Sequence, residues 1–211
     1  MIELFQITGS CSFAARAALE EAGAAYTPID IHPRRRDEPA SFAVVNPLRR
    51  VPALREGAVT VYETGAVLLW IGDRFPETGL APPINAPTRG AYYRWMVWLA
   101  DTLHPAWGNL LRGQPDALSR ERMDAHAAYL ERELQRGWCL GDRYSLADTY
   151  LYMLVGWRSY VDGYSFAAPA VDAHYARVGA RPAIRRTREL DDLRPDLLRY
   201  NPTMRAGKPL S

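Results

Sequence analysis

The feature that most constrains this chain is a change of rhythm along it. The first eighty or so residues alter character every ten to fifteen positions, as alternating strands and helices do. Ile2 to Ile7 is short and apolar enough for a buried strand, and Thr8-Gly9-Ser10 turns the chain. The Ala- and Glu-rich run from Ser12 to Ala22, stopped by Gly23, predicts a helix, and Tyr26 to Ile31 a second strand parallel to the first. A polar loop from His32 to Pro39 leads to a helical turn at Phe42 to Val45. Val51 to Leu54 and Val59 to Tyr62 then read as an antiparallel hairpin around Glu56-Gly57. Glu63 to Phe75 offers one broad apolar helical face. Between Pro76 and Pro87 four prolines and Gly79 erase any helical period. Beyond that break the pattern is helical throughout: Arg89 to about Leu111, Ser119 to Arg136, Ser145 to about Val161, Ala170 to Val178, and from Pro182 onward. No strand or repeat is evident there, and the stretch from Asn201 has no pattern.

The order βαβ, α, ββα is that of a thioredoxin-like domain, so the expected fold is an α/β N-terminal thioredoxin-like domain followed by an all-α helical-bundle domain. The expected boundaries are residues 1–78, a linker at 79–88, and 89–211. Composition narrows the function classes. With 26 basic and 24 acidic side chains in 211 residues the charge is nearly balanced, which argues against nucleic acid as a partner. No run of about 18 apolar residues exists to cross a membrane, and the N-terminus has no basic start or long apolar stretch. A cytoplasmic protein is expected. Cys11 and Cys139 are too few for a disulfide framework. No His/Cys/Asp spacing suggests a metal site, so no metal is expected.

Three motifs, Gly9-Ser10-Cys11-Ser12, Asn46 to Leu54 with its Val51-Pro52, and Glu63-Thr64-Gly65-Ala66, resemble those of the cytosolic glutathione S-transferases. The resemblance covers nearly the whole chain. A fourth motif, Gly141 to Asp148, is similar to the family's capping box in the helical domain, where Ser145 and Asp148 would satisfy amides at a helix start. Among the classes, the Gly-Ser-Cys-Ser turn looks most like the bacterial beta class, which has a reactive cysteine here and a histidine at the position of His104. Two departures are Arg50 just before Val51-Pro52 and Pro105 after His104, where the class often has lysine.

The resemblance implies a homodimeric enzyme of detoxification that binds glutathione as cosubstrate and joins its thiolate to a small hydrophobic electrophile. Cys11 sits at a helix N-terminus, where unpaired amides and the helix dipole favour a thiolate; the alternative is a buried, inert cysteine. Ser10 and Ser12 can donate to the same sulfur or cap the helix. Pro52 is cis in the resembled fold, which turns the Val51 backbone toward a bound peptide; Arg50 precedes them among the glutathione contacts. Glu63 and Thr64 open the third helix, where a hydroxyl and amides can take a carboxylate while the acid faces an ammonium. Those are the two charges of a γ-glutamyl end. His104 is either a ligand-site group or a residue of the kink at Pro105. Arg34, Arg35 and Arg36 read as solvated surface. Of Tyr92, Tyr93, Trp95, Trp98 and Trp107, one or two are expected to line an electrophile pocket and the rest to be core. Arg89, Arg94, Asp101 and Arg132 are expected at the polar rim of a dimer interface. Two other functions remain open: a glutathione-dependent thiol-disulfide reductase using Cys11, and a non-catalytic ligand-binding or scaffold protein.

Overall fold

The computed structural model describes residues 1–33, 39–112, 117–161, 166 and 168–192. Arg34, Arg35 and Arg36 lie outside the described residues. The first half is β1 (Ile2–Gln6), α1 (Ser12–Glu21), β2 (Tyr26–Asp30), α2 (Ala40–Val45), β3 (Ala53–Glu56), β4 (Val59–Tyr62) and α3 (Thr64–Arg74). The strands form one sheet in the order β2-β1-β3-β4, with β1 and β2 parallel and the other pairs antiparallel. This is the thioredoxin-like topology expected from the sequence. β3 begins at Ala53 rather than at Val51, because Pro52 has no amide hydrogen to give a ladder and the Val51–Pro52 bond is cis. Pro28 is tolerated within β2 because that strand is an edge.

The proline-rich break is less featureless than its composition suggests. It carries a short 3-10 turn at Pro76–Thr78, closed by Gly79 at φ 67°. The long helix expected from Arg89 is in three parts: α4 (Arg89–Trp98), a π-helical turn (Leu99–Leu103) and α5 (His104–Arg112). Pro105 thus falls in the first turn of α5, where its missing N–H is tolerated, and the wider turn before it absorbs the break. Then come α6 (Ala117–Glu133), α7 (Leu146–Gly156), α8 (Pro169–Gly179) and α9 (Pro182–Asp192). No described helix is long and apolar enough to cross a membrane.

One apolar cluster runs from the α1 and α3 side of the sheet, through Leu4, Leu19 and Leu68, into the helical half at Trp95, Leu103 and Leu151. Every residue of α7 is buried, so this helix is the central post of the helical half. Its start is sealed by the expected capping box: Asp148 accepts the Ser145 amide at 2.8 Å and the Ser145 hydroxyl at 3.1 Å. Phe5, Ile7, Phe42 and Val45 form a smaller cluster between the sheet and α2. The two halves approach closely at Gly72, where an added Cβ would lie 2.7 Å from that of Ala81.

Candidate active site

The site is assembled at the carboxyl end of β1. Thr8 to Cys11 leaves the strand, Gly9 takes φ 71°, and Cys11 becomes the first residue before α1. Ser10 organises this turn: its hydroxyl donates to the Ile7 carbonyl at 2.7 Å and accepts the Ser12 amide at 3.1 Å. The Phe13 amide goes to the Ser10 carbonyl and the Ala14 amide to that of Cys11. The amides that a helix start usually leaves open are therefore spent inside the turn.

That changes the chemistry expected of Cys11. Burial pushes its thiol above the ordinary value, with the nearby Glu63 carboxylate adding to the rise; hydrogen bonds from the Thr64 and Ser10 hydroxyls pull only partly the other way. The thiol donates to the Val51 carbonyl at 3.0 Å. The resting state is a protonated thiol, not the thiolate that the helix start alone suggests. Yet Cys11 keeps part of its surface open to solvent, unlike the buried Cys139.

Ser12 is engaged within the turn. Its side chain is buried, and its Oγ accepts the Ile7 amide at 3.2 Å and lies 3.0 Å from the Ser10 hydroxyl oxygen, so it braces the turn from within. Val51 is half-buried and Pro52 buried, while Arg50 is exposed with its carbonyl held by the Asn46 side-chain amide at 2.7 Å. Glu63 precedes α3 at φ 73°, a left-handed conformation costly for a non-glycine residue, and its carboxylate is exposed. Thr64 is buried beside it. Cys11, Val51, Glu63 and Thr64 thus converge from three separate segments.

His104 reaches the site through a residue that the sequence reading missed. Its Nδ1 lies 2.8 Å from the Tyr150 hydroxyl, and its ring meets Tyr150 and Trp157 edge-on. Tyr150 is buried in α7 and held well above the ordinary phenol range by burial, with the Cys11 and Glu63 charges adding and a hydrogen bond with Thr64 opposing. Its hydroxyl stands between His104 and the Thr64 side of the site. Nothing local marks Tyr150; its place two residues after the capping Asp148, on the helix facing α1 and α3, was the available signal.

Three of the five aromatics of the first long helix are core. Tyr92, Trp95 and Trp107 are wholly buried, and Tyr93 faces solvent. The aromatic wall beside Ser10 is instead supplied by Phe13, Tyr152, Trp157 and Tyr160, around a cavity of ≈ 30 Å3 that Asp191 also lines. Arg89 is not a rim residue either: it is buried and bonded to Asp73 at 2.6 Å and to the Pro82 carbonyl. Among the described residues Cys139, Asp148 and His174 come within 4.8 Å of one another, although their spacing in sequence suggests no metal site. The carboxylate there is already occupied by the amides of Ser145 and Cys139, the Ser145 hydroxyl and His174 Nε2. Its donors serve to hold the start of α7.

Comparison with known proteins agrees with this architecture. Residues 1–73 match the family model described as glutathione S-transferase, N-terminal domain, and residues 100–186 that of the C-terminal domain. The glutathione S-transferase GstA of Escherichia coli O157:H7 is 28% identical over 194 residues, which cover 87% of this chain and 95% of that protein. Among solved structures, a sphingomonad glutathione S-transferase complexed with glutathione is 32% identical with a TM-score of 0.83, covering 90% of this chain and 99% of the other. A bacterial beta class enzyme from Sphingomonas chungbukensis is 28% identical with a TM-score of 0.79 over the same shares. The motifs, the two-part architecture and these likenesses agree: the chain belongs to the glutathione S-transferase family.

Proposed function

We propose that this protein joins the sulfur of glutathione to small hydrophobic electrophiles. The observation that carries the reading is the convergence of Cys11, the Val51 backbone, Glu63 and Thr64 at one end of the sheet, facing His104 and Tyr150. The Val51 carbonyl would accept the cysteinyl amide of glutathione, as an added strand does. The Cys11 thiol now bonded to that carbonyl is thereby released to donate to the glutathione sulfur. Glu63 takes the γ-glutamyl ammonium, and the Thr64 hydroxyl with the first amides of α3 takes the carboxylate. The exposed Arg50 is within the same loop for the glycine end. Glutathione gives up its thiol proton, a carbon–sulfur bond forms, and the electrophile releases its leaving group with the bonding electrons, or, for an alkene, takes up a proton.

Residues 1–78 form the glutathione half, 79–88 the connection and 89–211 the electrophile half in this reading. A homodimer is supported by exposed apolar side chains on the edge strand β4 (Val59, Tyr62) and on α4 (Tyr93, Val97). Two unpaired thiols accord with the cytoplasm. The test is retention on immobilised glutathione followed by turnover of an aryl halide. Retention and turnover together support the reading, and sedimentation near twice 23.8 kDa supports the dimer. Failure to bind favours a non-catalytic protein; turnover of a glutathionylated disulfide alone favours the reductase.

A further inference from the structure

The last described helix reaches back across the molecule to the turn that carries Cys11. Asp191 lies at the C-terminal end of α9 and is buried, as is its partner Arg16 on α1. One carboxylate oxygen accepts the Gly9 amide at 3.1 Å and the other the Arg16 guanidinium at 3.1 Å. Arg16 in turn donates to Gln6 at 2.9 Å, and Gln6 to Asp30 at 2.9 Å, so the carboxylate is tied into β1 and β2. Gly9 is the point at which the turn enters the left-handed region, two residues before the thiol.

We propose that Asp191 is a positioning residue: by gripping the Gly9 amide while braced on Arg16, it fixes the turn that aims Cys11 at the Val51 carbonyl and at bound glutathione. The inference rests on the reading of Cys11 given above. A backbone amide is a demanding thing to hold by a side chain 182 residues away, since the bond constrains position and direction together. An ionised carboxylate grips an amide more strongly than a neutral one. Burial raises the Asp191 carboxyl to about 6, against the opposing pull of Arg16 and the Gly9 amide, with Asp192 and Asp30 adding to the rise. Tyr160 faces it from the turn after α7, and Tyr152, Tyr175 and Arg188 line the same cavity. The folded state therefore favours the protonated form: the stability this group adds is present below the ordinary carboxyl value and is lost as pH rises through about 6. The grip on Gly9 strengthens over the same interval.

The test compares the full-length protein with Asp191→Asn, Asp191→Glu, Cys11→Ala and the double variant Arg16→Met, Asp191→Leu. The double variant strands no buried charge and guards against simple misfolding. Turnover is measured from pH 5 to 9, and the Gly9 amide is followed by NMR over the same range. In the wild type the Gly9 amide shift is expected to titrate near pH 6, and in Asp191→Asn to stay flat. For Asp191→Asn and for the double variant, kcat at pH 7 is expected to fall by about tenfold while KM for glutathione changes by less than about twofold. Asp191→Asn should also lose the acid limb of the wild-type rate profile, and Asp191→Glu should recover part of the rate. A folded Asp191→Asn with wild-type kcat and pH profile, a Gly9 amide that does not titrate in the wild type, or a loss that only tracks the folded fraction would each overturn the inference. Full turnover by Cys11→Ala would instead overturn the assignment of Cys11, and the Gly9 titration then decides the role of Asp191 separately.

Discussion

Helices α1 and α7 each begin beside a cysteine, and they differ in where the carboxylate that braces the start is placed. At α1 the work is done by neutral groups, the Ser10 hydroxyl and the carbonyls of Ser10 and Cys11, and the thiol keeps a face toward solvent. At α7 the Leu146 and Asp148 amides go to the Leu80 and Ser145 carbonyls, while a buried carboxylate, Asp148, takes the Ser145 amide just before the helix and also receives Cys139 and His174. Burial and that carboxylate together drive the Cys139 thiol far up. The difference teaches what a helix start can be used for. A start whose carboxylate, Asp191, grips an amide two residues back at Gly9 still has room beside the thiol for an incoming negative sulfur, whereas one whose carboxylate sits on the cysteine's own amide repels it and serves only to hold the fold.

The comparison is broken most forcefully at its anionic end. Asp148→Ala leaves at least four buried donors without an acceptor and is expected to cost about 3–5 kcal/mol of stability in urea unfolding. A loss below about 1 kcal/mol would mean that water replaces the carboxylate easily. Next comes thiol selectivity. In the folded protein Cys11 should react with iodoacetamide about a hundredfold faster than Cys139 by peptide mass spectrometry, and still more slowly than free cysteine at pH 7. Because the Cys11 thiol is raised, its rate should keep climbing through the ordinary thiol range as pH increases. A plateau below pH 8 would reverse the picture of a protonated resting state.

Smaller effects sharpen the neutral end. Glu63→Ala and Thr64→Ala should each weaken glutathione binding by about 1–3 kcal/mol in titration calorimetry, and unchanged affinity in both would remove the γ-glutamyl assignment. Thr64→Val should also slow Cys11 alkylation further, since it deletes a bond that favours the thiolate. The smallest effect is that of Tyr150→Phe, which strips one hydroxyl from His104 and should cost about 1 kcal/mol in stability. Its more telling readout is a shift in the pH at which turnover saturates.

The strands and helices were legible because their signals are local. The Glu56-Gly57 turn marked β3 and β4, Gly23 marked the end of α1, and the Ser145/Asp148 pair marked the start of α7. Glu63 and Thr64 do open a helix, and Pro52 does stand before a strand. What the sequence could not show is set by groups far apart along the chain. The protonation of Cys11 depends on Val51, Thr64 and the depth of the turn; Ser12 proved to face Ile7 only once β1 and α1 were packed. Tyr150 and Asp191 act on the site from 46 residues beyond His104 and 182 beyond Gly9, with no spacing to announce them. The aromatics of α4 and α5 were visible as apolar, but whether they filled the core or lined a cleft depended on which way the helix faces.

That facing is controlled by the π-helical turn at Leu99–Leu103. A π turn holds one residue more than the α-helix around it, so it works as an adjustable coupling between two rigid shafts. Wound as α-helix instead, the same five residues would spin everything downstream by about 100° about its axis. His104 would swing off Tyr150 and Trp157, and Trp107 would leave the core, with no side chain of the site altered. The direction in which this enzyme's histidine points is thus encoded by one extra residue held in a π turn, and straightening that turn is as consequential for it as any substitution.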